Sequence, residues 1–198
     1  PNLTKLSFQM GIKTEACHEY YHCYNRGVNY APIFYAPENW LFFLKRLQQY
    51  FTPEHAEIVA YCLMPNHYHL LIRANSDHVS MKVMQPFATS YTKAINKQQE
   101  RVGALFQGAF QARHVDREAY LLHLSRYIHL NPVEAGLVDT PEKWEFSSYR
   151  DFIGLRNGTL PQPESVLAQF LSRQAYADFV SDGRPIQAGL PVNILFEA

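Results

Sequence analysis

The chain has 198 residues, 47% hydrophobic and 14% aromatic, and its 18 basic and 18 acidic side chains cancel to a formal net charge of zero. That composition excludes a disordered or fibrous polypeptide and supplies enough apolar surface for one substantial core. No apolar run approaches the roughly 18 residues needed to cross a membrane, and no charged-then-apolar leader is visible, so a soluble cytoplasmic protein without a membrane partner is expected.

Residues 18–28 are rich in aromatic and small polar side chains and run into Asn25-Arg26-Gly27, which reads as a first strand entering a turn. From Glu38 to Phe51 the apolar positions Trp40, Leu41, Phe43, Leu44, Leu47 and Phe51 recur at helical spacing, with Pro37 at the entry and Pro53 at the exit. Two strand-like runs follow, Ile58 to Leu63 and His67 to Ile72, joined by Met64-Pro65-Asn66 as a tight turn. A second helix is expected over Ser80 to Gln99, with Pro86 as a point of division, then a fourth strand over Phe106 to Val115. A third helix follows over Arg117 to Leu130, burying Tyr120, Leu121, Leu124 and Ile128 and stopped by Pro132. Beyond Gly136 the chain is richer in Pro and Gly; the Trp144 to Tyr149 segment reads as a packing anchor and Val166 to Val180 as a weak helix. The order strand, helix, strand, strand, helix, strand, helix predicts an α+β ferredoxin-like (split βαβ) sandwich. Its sheet should be antiparallel with helices on one face, and a C-terminal extension should follow.

Cys17, Cys23 and Cys62 make an odd count with no Cys-x-x-Cys pair, which argues for reduced packing residues over a disulfide framework or thiolate zinc site. Neutrality hides an uneven charge distribution. Residues 80–130 carry seven basic side chains against three acidic, and residues 131–198 carry five against nine, so a cationic middle is offset by an anionic tail. A local basic surface suits phosphate contact, and Lys93, Lys97, Arg113 and Arg117 are expected along a nucleic-acid path.

The most specific chemical signal is His67-Tyr68-His69 at the start of an apolar strand. Strand side chains alternate faces, so both imidazoles project from one side and can share a divalent ion while leaving coordination positions open for a substrate oxygen. In the third helix Tyr127 and Asn131 stand four residues apart and therefore on one face. A tyrosine hydroxyl is a usable nucleophile where a metal polarises the electrophile, and an asparagine carbonyl oxygen can complete a two-histidine metal set. Tyr91, also on a basic helix, is a rival nucleophile. His22, His114, His123 and His129 read as surface or core histidines rather than ligands. Phe106-Gln107-Gly108 reads either as a base-stacking element or as a strand-initiating turn.

Several ordered motifs together carry a resemblance that His-x-His alone would not. They are Tyr21-His22-Cys23-Tyr24-Asn25-Arg26-Gly27, Met64-Pro65-Asn66-His67-Tyr68-His69-Leu70-Leu71, Leu105-Phe106-Gln107-Gly108-Ala109-Phe110, Tyr127-Ile128-His129-Leu130-Asn131-Pro132-Val133-Glu134-Ala135-Gly136 and Trp144-Glu145-Phe146-Ser147-Ser148-Tyr149. Over about residues 16 to 154 the chain resembles the single-tyrosine HUH transposases of the IS200-like group, in particular their REP-associated branch. The resemblance implies a catalytic domain over residues 1–154, with residues 155–198 as an extension. It also implies a bacterial enzyme, meeting the nucleoid when it acts, that cleaves and rejoins single-stranded DNA at or near hairpins. Tyr127 would attack the scissile phosphate to leave a 5′-phosphotyrosine link and a free 3′-hydroxyl. His67, His69 and Asn131 would hold Mg²⁺ or Mn²⁺, and a homodimer is one assembly the family uses. Two other readings remain open at the level of sequence: a hairpin-binding module without catalysis, and a metal-dependent phosphoesterase that uses water.

Overall fold

A computed structural model describes residues 18–191; Cys17 and the ends of the two terminal stretches lie outside the described residues. The strands are β1 (Tyr20–Arg26), β2 (Ala56–Met64), β3 (His67–Ala74) and β4 (Gln111–Val115). Between and after them come α1 (Pro37–Tyr50), α2 (Gln85–Gln98), α3 (Glu118–Glu134), and the short α4 (Tyr149–Phe152), α5 (Glu164–Leu167) and α6 (Arg173–Val180). The strand order is β2-β3-β1-β4 with every pair antiparallel, so β3 lies between β1 and the strand that follows α1.

The side chains of β3 explain the layering. Tyr68, Leu70, Ile72 and Ala74 fall on one face and join Phe43 and Leu47 of α1 with Phe87, Tyr91 and Ile95 of α2 in a first core. Leu71 points the other way and joins Leu121, Leu124, Tyr127 and Ile128 of α3, together with Tyr176 and Val180 of α6, in a second core. The sheet is therefore covered on both faces, which corrects the expectation of helices on one face only. The physical reason is that β2 and β3 are apolar at successive positions, Val59 to Leu63 and Leu70 to Ile72, and such runs have to be buried on both sides. A bulge between Ile58 and Ala60 in β2 keeps this phase: Val59 and Ala60 both join the second core, and alternation resumes at Tyr61.

Local sequence accounts for the ends of the elements. Pro37 opens α1, and the Asn39 side-chain oxygen accepts from the backbone N–H of Tyr35 (2.9 Å) and Ala36 (3.0 Å). The second helical span begins as a π-helical turn, Ser80–Met84, and becomes regular at Gln85, beside Pro86. Two strand and helix limits differ from expectation. β4 starts at Gln111 because Phe106 turns into the first core and Gly108 adopts a left-handed φ of 78°. Pro132 does not stop α3, which runs to Glu134. Gly136 (φ 66°) ends it instead, with its N–H on the Val133 carbonyl (2.9 Å) and the Leu137 N–H on the Pro132 carbonyl (2.9 Å), a Schellman motif. Asn131 thereby stays helical, one turn beyond Tyr127.

The segment after α3 closes the second core. Trp144 donates from Nε1 to the Leu63 carbonyl (2.9 Å), the Leu63 N–H donates to the Phe146 carbonyl (2.9 Å), and Ser148 Oγ accepts from the Tyr61 N–H (2.9 Å), so the segment lies along the edge of β2 as an anchor. The expected weak helix at 166–180 is two helices, α5 and α6, with α6 packed on α3. Among the described residues no helix is long and apolar enough to cross a membrane.

His129 of α3 is enclosed between Tyr176 Oη (2.7 Å) and Ser148 Oγ (2.8 Å), and burial, aided by the positive charge of Arg156, pushes its pKa down to about 3. The unfolded chain takes up this proton near pH 6.5 and the folded one only near pH 3, so stability is complete above pH 6.5 and declines as the pH falls toward 3. In urea titrations across that window, His129→Gln is expected to reduce the slope of stability against pH by about 1.4 kcal/mol per pH unit, one proton's share.

Candidate active site

The register of β1 against β3 pairs Arg26 with His67, Tyr24 with His69 and His22 with Leu71, which sets His22, Tyr24, Arg26, His67 and His69 on the face covered by α3. His69 is fully buried and His67 is 8% exposed. Their rings stand nearly perpendicular with centroids 5.0 Å apart. Tyr127 reaches down from α3 and meets both His69 (5.6 Å, 79° between planes) and His22 (6.1 Å, 78°) edge to face. Asn131, one turn on, donates from Nδ2 to the Tyr127 carbonyl at 2.7 Å and makes a hydrogen bond to His69.

The hydrogen bonds of the two rings define their chemistry. His67 Nδ1 lies 2.7 Å from Asn66 Oδ1, whose amide nitrogen is used on the Tyr30 carbonyl (3.4 Å). An amide oxygen only accepts, so Nδ1 carries the proton and Nε2 carries the lone pair. His69 Nδ1 meets His22 Nε2 at 3.0 Å with the rings stacked at 26°. Burial, reinforced by the Arg26 guanidinium, pushes His67 down to about 4. His69 is held well below its ordinary value by burial and then by the neighbouring His67 and His22 rings, against which the hydrogen bond to Asn131 works. Both imidazoles are neutral at pH 7, the form that donates a lone pair to a metal. Among the described residues no three His, Cys, Asp or Glu side chains gather in a metal-binding geometry. Two neutral imidazoles and a carboxamide oxygen nevertheless form a chemically suitable partial set for a divalent ion with open positions.

A family model described as "Transposase IS200 like" matches residues 18–131. The chain belongs to the IS200-like transposase family. A Haemophilus influenzae protein named as a REP-associated tyrosine transposase is 28% identical over 104 residues, covering 47% of this chain and 58% of its own length. The chain thus spans a little over half of that curated relative. The solved structure of a REP-associated tyrosine transposase bound to a REP hairpin aligns with a TM-score of 0.58 at 14% identity, covering 74% of this chain and 93% of that one. At that identity the likeness establishes the shared α+β fold.

In this chain His67 and His69 of β3 come together with Tyr127 and Asn131 of α3. Tyr91 does not join them: it is buried in the first core on the other side of the sheet, where its hydroxyl donates to the Ile33 carbonyl at 2.8 Å. The four basic residues separate. Arg113 on β4 is the register partner of His22 and reaches Tyr24 Oη from its Nε (3.4 Å), so it belongs to the site's face. Arg117 precedes α3 with its guanidinium over Tyr120 (5.3 Å). Lys93 and Lys97 are exposed on α2, which packs on the opposite face. His22, which reads from sequence as a surface or core histidine, is a buried residue on which His69 rests. Its period-2 spacing with Tyr24 and Arg26 would place it on one face, but only the pairing of β1 with β3 sets it beside His69.

Since the Arg26 charge contributes to the low His67 pKa, Arg26→Ala should raise it part of the way from about 4 toward 6.5, burial remaining the larger cause. Ring-nitrogen NMR titration of the apo protein reads this shift directly.

Proposed function

We propose that this IS200-like transposase cleaves and rejoins single-stranded DNA at or near hairpins, with Tyr127 as nucleophile and His67, His69 and Asn131 as ligands of Mg²⁺ or Mn²⁺. The observation that carries the reading is the approach of Tyr127 to His69 at 5.6 Å between ring centroids, on the one sheet face that also carries His67.

The step is an in-line displacement at phosphorus. The Tyr127 hydroxyl oxygen bonds to the scissile phosphorus and loses its proton, the bond to the 3′-oxygen breaks, and that oxygen leaves as a 3′-hydroxyl after taking up a proton. The segment downstream of the break stays on Tyr127 through its 5′-phosphate, as a phosphodiester. Because the link keeps the bond energy of the chain, attack by a second 3′-hydroxyl restores a phosphodiester and releases the tyrosine. A bound divalent ion supplies charge neutralisation at the phosphate and alignment for in-line attack. The chain's own residues hold the geometry: Asn66 fixes His67, His22 fixes His69, and the helix contact from Asn131 to the Tyr127 carbonyl ties the nucleophile's backbone to a ligand. The relative solved with a REP hairpin supports hairpin DNA as the substrate class.

Labelled single-stranded hairpins from around the chain's own gene, incubated with Mn²⁺ and run on denaturing gels, should give label covalently attached to protein. Tyr127→Phe is expected to abolish that adduct, and Tyr91→Phe to retain it. Cleavage without adduct that survives Tyr127→Phe would point to a water-using phosphoesterase, and hairpin binding without either product to a recognition module.

Mn²⁺ binding followed by calorimetry should weaken about tenfold or more in His67→Ala and in His69→Ala. In His22→Ala it should weaken between about ten- and a hundredfold, the usual effect of removing a group that orients a ligand. A mixed imidazole and carboxamide set should also bind Mn²⁺ more tightly than Mg²⁺.

A further inference from the structure

At the end of β1 the rim of the site carries an arrangement that neither metal binding nor nucleophilic attack uses. Arg26 lies opposite His67 on the same face, its guanidinium carbon is 4.2 Å from the centroid of the Tyr30 ring, and its Nε donates to Gln107 Oε1 at 3.0 Å. Tyr30 is 55% exposed. Asn29 and Tyr30 both adopt left-handed backbone conformations, with φ of 52° and 60°. Such a conformation is disfavoured for a tyrosine and persists only where the surroundings impose it.

Here the surroundings are specific. The Gly27 N–H donates to the Asn66 carbonyl (2.7 Å), the Val28 N–H to the Leu105 carbonyl (3.0 Å), and Asn66 Nδ2 to the Tyr30 carbonyl (3.4 Å). A side chain on Gly27 would run into the Ala31 carbonyl oxygen, so only glycine permits the turn to close this tightly. The same asparagine that sets the tautomer of His67 thus also holds the turn that turns an aromatic ring outward beside it.

An exposed aromatic ring with a guanidinium against it, next to a site that receives a phosphate, has the chemistry of a base-stacking platform. A base inside a duplex has both faces covered by its neighbours, so the ligand that fits is an unpaired one. Resting on the strand-transfer reading above, we propose that Tyr30, backed by Arg26 and flanked by Gln107, stacks on one unpaired nucleobase of the DNA strand whose phosphate enters the site. Stacking accepts any base, while the Gln107 amide lies where it can meet a base edge.

The test uses the full chain and a fluorescent oligothymidylate of about 15 nucleotides at low salt, read by anisotropy. Asparagine tolerates the left-handed backbone, so Tyr30→Asn removes the ring without straining the turn, and Tyr30→Trp keeps a stacking surface. Tyr30→Asn should weaken binding about tenfold, and Tyr30→Trp should stay within about twofold of the wild type. Strands carrying 5-iodouracil should photocross-link to the peptide that contains Tyr30. Thermal midpoint and Mn²⁺ affinity should be unchanged in Tyr30→Asn, which separates a lost contact from a damaged fold. Undiminished oligothymidylate binding by Tyr30→Asn, absence of binding by the wild type, or cross-links that map away from Tyr30 would overturn the subsite and leave the Tyr127 adduct as it stands. Absence of that adduct together with the expected Tyr30 effects would overturn strand transfer and support the stacking subsite.

Discussion

A strand buried on both faces must assign every side chain to one of two environments, and β3 makes that assignment for the whole molecule. Tyr68, Leu70 and Ile72 commit one face to α1 and α2, while His67, His69 and Leu71 commit the other to α3. A slip of one residue would put the imidazoles among Phe43, Phe87 and Tyr91 and put Tyr68 under α3. Two devices guard the register. The turn at Pro65 and Asn66 joins β2 directly to β3, and the bulge at Val59 restores the phase of β2 so that Cys62 and Met64 stand on the histidine side. Burial has a chemical consequence as well as a structural one. It keeps His67 and His69 neutral, and a pair of exposed histidines would not hold so low a pKa.

The second core is finished from a distance. Arg126, the neighbour of Tyr127, is 1% exposed, and such a charge is costly to remove from water unless its donors are used. Its guanidinium donates to the carbonyls of Phe179 (3.2 Å), Pro185 (3.1 Å) and Arg184 (2.7 Å) and to the Asp182 carboxylate (3.0 Å). Tyr176 adds bonds to His129 and Ser125 on the same helix. The segment that follows α5 therefore grips α3 along the side away from the sheet, leaving the helix buried nearly all round between Leu124 and His129. Part of the charge asymmetry between the middle and the tail of the chain is an internal ion pair, Arg126 with Asp182, and not a surface for nucleic acid.

What could be read from sequence follows the range of the forces involved. The order of the major elements through α3, the shared face of His67 and His69 and the shared face of Tyr127 and Asn131 depend on local periodicity and on spacing within single elements, and these were legible; that the two pairs meet depends on the packing of α3 against the second sheet face, which spacing does not give. The end of α3 was not, because one hydrogen bond lost at Pro132 does not end a helix that is closed four residues later by the left-handed Gly136. The second helical layer was missed because the apolar runs of β2 and β3 read the same whether one face or two are covered until their partners are known. His22 was missed for the same reason: its contact with His69 is made between strands, across 47 residues of sequence.

The same geometry bears on where a strand can approach. The helix-covered length of the histidine face is closed by Leu121, Leu124 and Ile128 toward β2 and β4, and Tyr127 is only 5% exposed. The face opens at the end of β1, where Arg26 is half-buried and Tyr30 and Gln107 are exposed. Arg113 stands on the same face, whereas Lys93 and Lys97 are separated from it by the thickness of the sheet. Coulomb attraction between exposed groups fades over a screening length of about 10 Å at moderate salt, so charges behind the sheet add little to the hold on a phosphate in front of it. The basic middle of the chain thus divides in space: Arg113 faces the histidine side from β4, Arg117 follows β4 beyond the start of β1, and the lysines of α2 face a different part of the surface.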